Sequence, residues 1–221
     1  AAYGEAIAAD PAADFFHGYR HRMDADGAVT ELAGQFQQGP SGTVELFGRM
    51  FLSHLCVCYR RALFERVGGY DEALRTCEDY ELYLRMSLHT RFTPVGRPTG
   101  LRRRHGTNIS RQTGRSRFLE AEVLRRFVEV QGGRGVVPAE RVSRRLGRLY
   151  YAAGRQYFKA GRPRQAAEAL ACSLRWRRSL KPAALRLLCG AMAPFAGADE
   201  GERPPRLGGP GGTGRPSGPT R

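Results

Sequence analysis

The chain has 221 residues, of which 41% are hydrophobic, and its formal net charge is +15. This length and apolar content suffice for one medium-sized domain with an appendage and exclude a chain that is disordered throughout. The five cysteines are odd in number and include no Cys-x-x-Cys pair, which argues against a disulfide framework or a zinc site and favours reduced thiols.

In chain order, the first elements predicted are a helix and a β-hairpin. The helix covers residues 1–10 and ends at Asp10-Pro11. Two extended segments, 14–23 and 28–32, flank the turn signal Asp24-Ala25-Asp26-Gly27 and predict the hairpin. A short helix is expected from Arg60 to Val67.

The next helix is predicted to begin near Thr76, a good N-cap residue. Asp79 stands three residues later, in the position of a capping box. A short strand is expected over residues 92–95, a basic loop over 101–108 and a helix over 117–130.

The C-terminal part predicts two amphipathic helices, 139–160 and 163–177, that turn at Gly161. Small and aromatic residues there follow the spacing of a tetratricopeptide repeat, and such a unit must cover its apolar face with neighbours. We therefore expect a first domain over 1–130, a helical region over 139–195 and a tail over 196–221. The tail is rich in Gly, Pro and Arg and is expected to be disordered.

Three segments follow one another in a characteristic order: VGGYDE at residues 67–72, the Glu78-Asp79 pair at a helix start, and LRRRHGTNIS at 101–110. Together they resemble the acceptor-side, C-terminal half of bacterial family 2 glycosyltransferases of the GT-A type, over about residues 14–127. The resemblance implies an α/β fold: a partial GT-A domain that lacks the N-terminal nucleotide-binding half and is followed by the helical hairpin.

The resemblance implies an inverting sugar transfer from a nucleotide-diphospho-sugar to a hydroxyl of a glycan or lipid-linked acceptor. Asp79 matches the base, which removes the proton of the attacking hydroxyl. Glu78, Asp71, Arg103 and Arg104 are assigned to substrate binding on the same grounds. The expected location is the cytoplasm or the inner membrane face, in the synthesis of cell-surface polysaccharide.

A divalent metal, Mg²⁺ or Mn²⁺, is also implied by the resemblance, with His105 as a candidate ligand. The string Asp24-Ala25-Asp26 matches the letters of the family's Asp-x-Asp metal motif. However, the strand before it is polar and it lies too close to Glu78-Asp79, so we expect a hairpin turn there. The true metal motif would belong to the donor half, which is expected to be missing from this sequence.

Each assigned residue also has a purely structural interpretation. Asp79 can serve only as a capping carboxylate, and Asp71 can only shape its turn. Arg103, Arg104 and His105 can form a solvated basic loop.

Two other functions compete with the transferase, and contact with a membrane surface is a separate hypothesis. A nonenzymatic helical-repeat interaction protein would explain the C-terminal helices but gives no reason for the acidic pair. Nucleic-acid binding is suggested by the charge, but the basic residues are not interleaved with an aromatic platform, so no nucleic-acid partner is expected. The basic amphipathic stretch 170–195 suits an anionic membrane surface, although Pro182-Ala183-Ala184 interrupts it and packing against the neighbouring helices is the alternative. Charges interrupt every apolar run and exclude a membrane-spanning helix.

Overall fold

The computed structural model describes residues 2–30, 42–103, 113–192 and 206–207, and within these ranges the chain is mixed α/β, as the sequence predicts. The elements, in chain order, are α1 (Ala2–Ala9), β1 (Phe15–Met23), β2 (Val29–Thr30), α2 (Thr43–Gly48), β3 (Val57–Tyr59), α3 (Arg61–Arg66), α4 (Glu78–Met86), β4 (Thr93–Arg103), α5 (Gly114–Glu129), α6 (Ala139–Lys159), α7 (Pro163–Trp176) and α8 (Leu180–Met192). Short 3₁₀ turns at His54–Cys56 and Gly133–Gly135 complete the list for these ranges.

Strand β1 organises a small mixed sheet. Strand β4 runs parallel to it from Phe16 to Met23, whereas β3 pairs antiparallel near Phe15 and β2 pairs antiparallel at Met23. Because a strand has two edges and β4 takes one of them, β2 and β3 lie at opposite ends of the other edge.

The predicted hairpin is confirmed, with its turn at Asp24. One carboxylate oxygen of Asp24 accepts the backbone N–H groups of Asp26 at 3.0 Å and of Ala28 at 2.9 Å. Gly27 has φ +94°, which glycine adopts readily. This carboxylate is used to close the turn, in agreement with the hairpin interpretation of Asp24-Ala25-Asp26.

Strand β4 is longer than the predicted segment 92–95. It continues to Arg103 because β1 offers a long edge to pair with, and the predicted basic loop therefore begins as strand. Two register shifts between His17 and Arg20 accommodate the irregular sequence of β4, which contains two prolines.

The predicted C-terminal helix pair is confirmed as α6 and α7. A Cβ atom placed on Gly154 of α6 would lie 2.7 Å from Cγ of Leu170 in α7, so the helices approach too closely for a larger residue. Pro182, predicted to interrupt the segment 170–195, instead lies in the first turn of α8, where its missing N–H costs nothing. The interruption falls at residues 177–179, between α7 and α8.

One hydrophobic core extends through both the sheet and the C-terminal helices. Phe15 of β1, Tyr83 of α4, Phe127 of α5, Tyr150 of α6 and Leu170 of α7 are all buried in it. The expectation that the helical pair covers its apolar face is met by α5, against which α6 packs. None of the helices in the described ranges combines the length and the apolar character needed to cross a membrane.

Candidate functional site

The Glu78-Asp79 pair opens helix α4, but the predicted cap at Thr76 is wrong. The N-cap residue is Cys77, whose backbone is left-handed (φ 64°, ψ 14°) and whose side chain makes no capping hydrogen bond. Because Cys77 stands between Thr76 and the helix, Asp79 is the second helical residue and not the third. One of its carboxylate oxygens accepts the backbone N–H of Tyr80 at 2.7 Å.

The backbone at Cys77 is strained. Among the described residues it is the only non-glycine residue with positive φ. A left-handed conformation costs an ordinary residue about 1 kcal/mol, and such strain is concentrated at functional sites. Burial, together with the nearby carboxylates of Glu120, Asp79 and Glu78, raises the pKa of the Cys77 thiol to about 12. The thiol therefore stays protonated near neutral pH and is a poor nucleophile.

Beside the acidic pair lies a group of rings that we call the aromatic cluster: His54, Tyr59, Tyr70 and Tyr83. The His54 Nδ1 atom is 2.7 Å from the Tyr83 hydroxyl, and the Tyr59 and Tyr70 hydroxyls are 3.5 Å apart. The His54 ring meets Tyr70 edge-on, with 6.2 Å between centroids, and stacks near Tyr83.

Electrostatics connects this cluster to the acidic pair. Burial raises the pKa of the Tyr70 hydroxyl, and Tyr59 and the carboxylates of Asp79 and Glu78 raise it further. The pKa of Tyr83 is raised by burial first and then by Tyr70 and Asp79. Both hydroxyls therefore remain protonated and can donate hydrogen bonds.

Both carboxylates of the acidic pair and most side chains of the cluster keep part of their surface accessible, whereas Tyr83 is buried. His54 is exposed, whereas Tyr59, Tyr70, Glu78 and Asp79 are half-buried. Half-buried carboxylates and aromatic rings suit a polar ligand with an apolar face, because ring faces pack on C–H groups while oxygens bind hydroxyls. The arrangement can hold such a ligand and accept a proton from it.

Asp71, predicted to bind substrate, is engaged within the protein. Its Oδ2 atom is 2.7 Å from Arg126, and its Oδ1 atom accepts the N–H of Ala73 at 3.1 Å. These contacts favour the interpretation in which Asp71 shapes the turn before the acidic pair.

A buried ion network behind the site was missed by sequence reasoning. Glu81, 1% exposed, binds Arg85 at 2.6 Å, Arg126 at 3.0 Å and Gln131 at 2.6 Å. Arg85 also donates to the carbonyl of Gly69 at 2.6 Å. The network thereby connects the Gly-Gly-Tyr-Asp turn, which contains Tyr70, to α4, which contains Asp79. The i, i+4 spacing of Glu81 and Arg85 was the available signal.

The structure does not bring Arg103 to the acidic pair. Arg103 pairs in register with Met23 and donates to the Ala25 carbonyl at 2.8 Å. Tyr83 packs on Phe15, at the other end of the nine-residue strand β1, roughly 25 Å away at the usual rise of a strand. Arg104, predicted to bind substrate, and His105, the candidate metal ligand, lie outside the described residues.

The residues that the structure describes offer few donors for a divalent metal. They contain no group of three or more His, Cys, Asp or Glu side chains placed to hold an ion. Glu78 and Asp79 supply two carboxylates, a number that suits Mg²⁺ only where substrate phosphates and waters complete its coordination.

Comparison with models of protein families and with curated proteins gave no match for this chain. The resemblance to family 2 glycosyltransferases therefore stays a prediction from the three ordered sequence segments.

Proposed function

We propose that this chain supplies the acceptor-side part of an inverting glycosyltransferase that resembles family 2, with Asp79 as the catalytic base. The observation that carries the proposal is the half-buried acidic pair at the start of α4, whose carboxylates lie near enough to Tyr70 and Tyr83 to raise the pKa of both hydroxyls. The ordered segments VGGYDE, Glu78-Asp79 and LRRRHGTNIS support the same assignment.

In this proposal, the chain's residues orient the acceptor and move one proton. The rings of Tyr59 and Tyr70 pack against the acceptor sugar, and the Tyr70 hydroxyl donates to one of its oxygens. The acceptor hydroxyl attacks the anomeric carbon of the donor, the bond from that carbon to the diphosphate oxygen breaks, and the nucleoside diphosphate leaves. The proton of the attacking hydroxyl passes to the second carboxylate oxygen of Asp79. The helix N-terminus and the Tyr80 N–H stabilise the negative charge of Asp79 before the proton arrives.

The test uses the protein as its gene encodes it, including any sequence before Ala1. Release of nucleoside diphosphate is measured with a panel of nucleotide sugars and glycan acceptors. Loss of a positioned base lowers the rate by about 10²–10⁴-fold, so Asp79→Asn should lose that factor in kcat with little change in the KM for the donor. Asp26→Asn, an exposed carboxylate in the hairpin turn, is the matched control.

A second measurement needs only this chain. The labelled protein is applied to a glycan array, and binding should fall for Tyr70→Ala while Glu72→Gln, an exposed neighbour, keeps it. Full activity of Asp79→Asn would remove the catalytic assignment. Array binding indifferent to Tyr70 would remove the acceptor site.

Association with an anionic membrane surface is part of the proposal, because α8 displays an unusual apolar face. Leu180 is 87% exposed and Leu187 is 77% exposed, with Lys181 and Arg186 exposed beside them. Such a face can insert shallowly while its cations meet lipid phosphates. Sedimentation with anionic liposomes should retain the protein, and Leu187→Asp should release it. Equal recovery in the supernatant for both would exclude this location.

A helical-repeat interaction protein is the second candidate function, favoured by the close α6–α7 packing at Gly154 and Leu170. It predicts a partner protein and no turnover of nucleotide sugars. The Asp79→Asn assay above separates the two functions, because this alternative gives Asp79 no role.

A further inference from the structure

A short tail segment, Arg206–Leu207, contacts helices α5 and α7, which are far from it in sequence. The Leu207 backbone N–H donates to Oε2 of Glu122 at 3.2 Å, and its carbonyl accepts from Arg125 at 2.7 Å. Both backbone groups of one residue are thus bound by a single ion pair, much as a neighbouring strand would bind them.

The clamp formed by Glu122 and Arg125 is built into the core. Glu122 is 2% exposed, lies 2.9 Å from Arg125, and accepts a hydrogen bond from the Tyr150 hydroxyl at 2.5 Å. Burying a carboxylate is costly unless its oxygens are satisfied, and the Leu207 N–H supplies one of the donors. The carboxylate is therefore held in position to receive a backbone N–H.

The two side chains of the segment are also recognised. Arg206 places its guanidinium 2.8 Å from Glu168 of α7. Leu207 is half-buried and packs against the hydrophobic core. The ion pair with Glu168 therefore favours a basic residue at the position of Arg206, and the apolar contact favours a hydrophobic residue at the position of Leu207.

Space for a longer peptide remains beside the segment. A cavity of about 420 Å³ is lined by Arg206, Leu207, Tyr150, Cys172 and Trp176, among others. This volume is within the usual range for binding pockets. It is separate from the acidic pair and is not used by the proposed transferase chemistry.

We propose that the groove between α5 and α7 is a peptide-binding site for an extended segment with arginine followed by leucine, occupied in this chain by its own Arg206–Leu207. Glu122 and Arg125 bind the backbone of the segment, and Glu168 pairs with its arginine. The hydrophobic core contacts its leucine. A tethered segment acts at an effective concentration of about 1 mM, so the groove is closed to weaker peptides in trans.

Trp176, the single tryptophan of the chain, lines the cavity and reports on its occupancy. The test compares the full chain with its double variant Arg206→Glu/Leu207→Asp, which removes both side-chain contacts. The variant's Trp176 emission should shift to longer wavelength, because water enters the emptied groove. Far-UV circular dichroism should be unchanged, since the helices do not depend on the segment.

A synthetic peptide of residues 203–209, RPPRLGG, is then titrated into both proteins. It should bind the variant saturably, reverse the emission shift, and leave the unaltered chain unaffected up to about 1 mM. The peptide RPPEDGG is the matched control and should not bind. Binding to neither protein, or equally to both, overturns the proposal.

Charge reversal tests the register of the segment. Glu168→Arg and Arg206→Glu should each shift the emission of Trp176, and the two together should restore it. Failure of the pair to restore the emission contradicts the assigned contact. Emission that shifts on hundredfold dilution of the unaltered chain shows exchange between copies and contradicts occupancy within one chain.

Discussion

At the residue scale, Glu81 connects the elements around the candidate site, although no catalytic or binding role is assigned to it. It is buried, and Arg85, Arg126 and Gln131 all bind it. Removing one partner of a buried ion pair leaves the remaining charges without compensation, which is far costlier than losing an exposed pair.

Glu81→Ala should therefore lower the free energy of unfolding by about 3–5 kcal/mol. The control is Glu140→Ala, which breaks an exposed i, i+4 pair with Arg144 and should cost less than about 1 kcal/mol. Urea denaturation followed by circular dichroism measures both. Equal losses for the two variants would show that the buried network has no special role.

A second residue-scale prediction concerns His17 of β1, which is 5% exposed. Burial lowers the pKa of His17 to about 4. Between pH 6.5 and pH 4, His17 is protonated in the unfolded chain but stays neutral in the folded chain. The free energy of unfolding therefore falls as the pH drops from 6.5 towards 4. The total loss in the free energy of unfolding is up to about 3 kcal/mol.

His17→Phe should flatten this part of the pH profile, because phenylalanine has no group that binds a proton in this pH range. Thermal or urea unfolding at several pH values between 4 and 7 measures it, and His89→Phe is the comparison at an exposed histidine. A profile that is the same for His17→Phe and the unaltered chain would contradict the assignment.

At the element scale, the contact between α6 and α7 depends on small residues. A Cβ atom on Gly154 would lie 2.7 Å from Leu170 Cγ and 3.2 Å from the carbonyl oxygen of Ala166. Glycine costs helix stability, so its presence in the middle of α6 is explained by the close approach of α7.

Gly154→Ala should destabilise the protein, because overpacking costs about 1–3 kcal/mol against a gain of about 1 kcal/mol in helix propensity. Gly190→Ala in α8 is the control, since a Cβ there has no atom within 4 Å. That variant should be neutral or slightly stabilising. Chemical denaturation decides, and a stabilised Gly154→Ala would mean that the helices can separate at little cost.

At the scale of the whole molecule, the core does not stop at the predicted boundary near residue 130. Phe127 of α5 and Tyr150 of α6 belong to the same cluster of buried residues as Phe15 of the sheet. Phe118 meets Tyr150 edge-on at 5.3 Å between centroids. The regions 1–130 and 139–195 therefore share one interior.

A shared interior predicts one cooperative unfolding transition. Trp176 fluorescence reports on α7, whereas far-UV circular dichroism reports on all helices, and the two curves should have the same midpoint in urea. An earlier midpoint for Trp176 would show that the C-terminal helices unfold on their own.

The sequence alone determined the local elements and the order of the three characteristic segments. Alternation, helical spacing and turn residues predicted the hairpin at Asp24, the helix after Arg60 and the pair α6–α7, and these features depend on residues close together in the chain. Acidic residues at a helix start were visible for the same reason.

Only the tertiary structure decided which residues meet. Packing between distant segments determines the left-handed backbone of Cys77 and the ring contact between His54 and Tyr70. It also determines the ion pair between Glu81 and Arg126. The groove that receives Leu207 belongs to the same class, since its clamp lies more than eighty residues away in sequence. Long-range contacts leave little trace in a single sequence, because each partner there is one polar or aromatic residue among many.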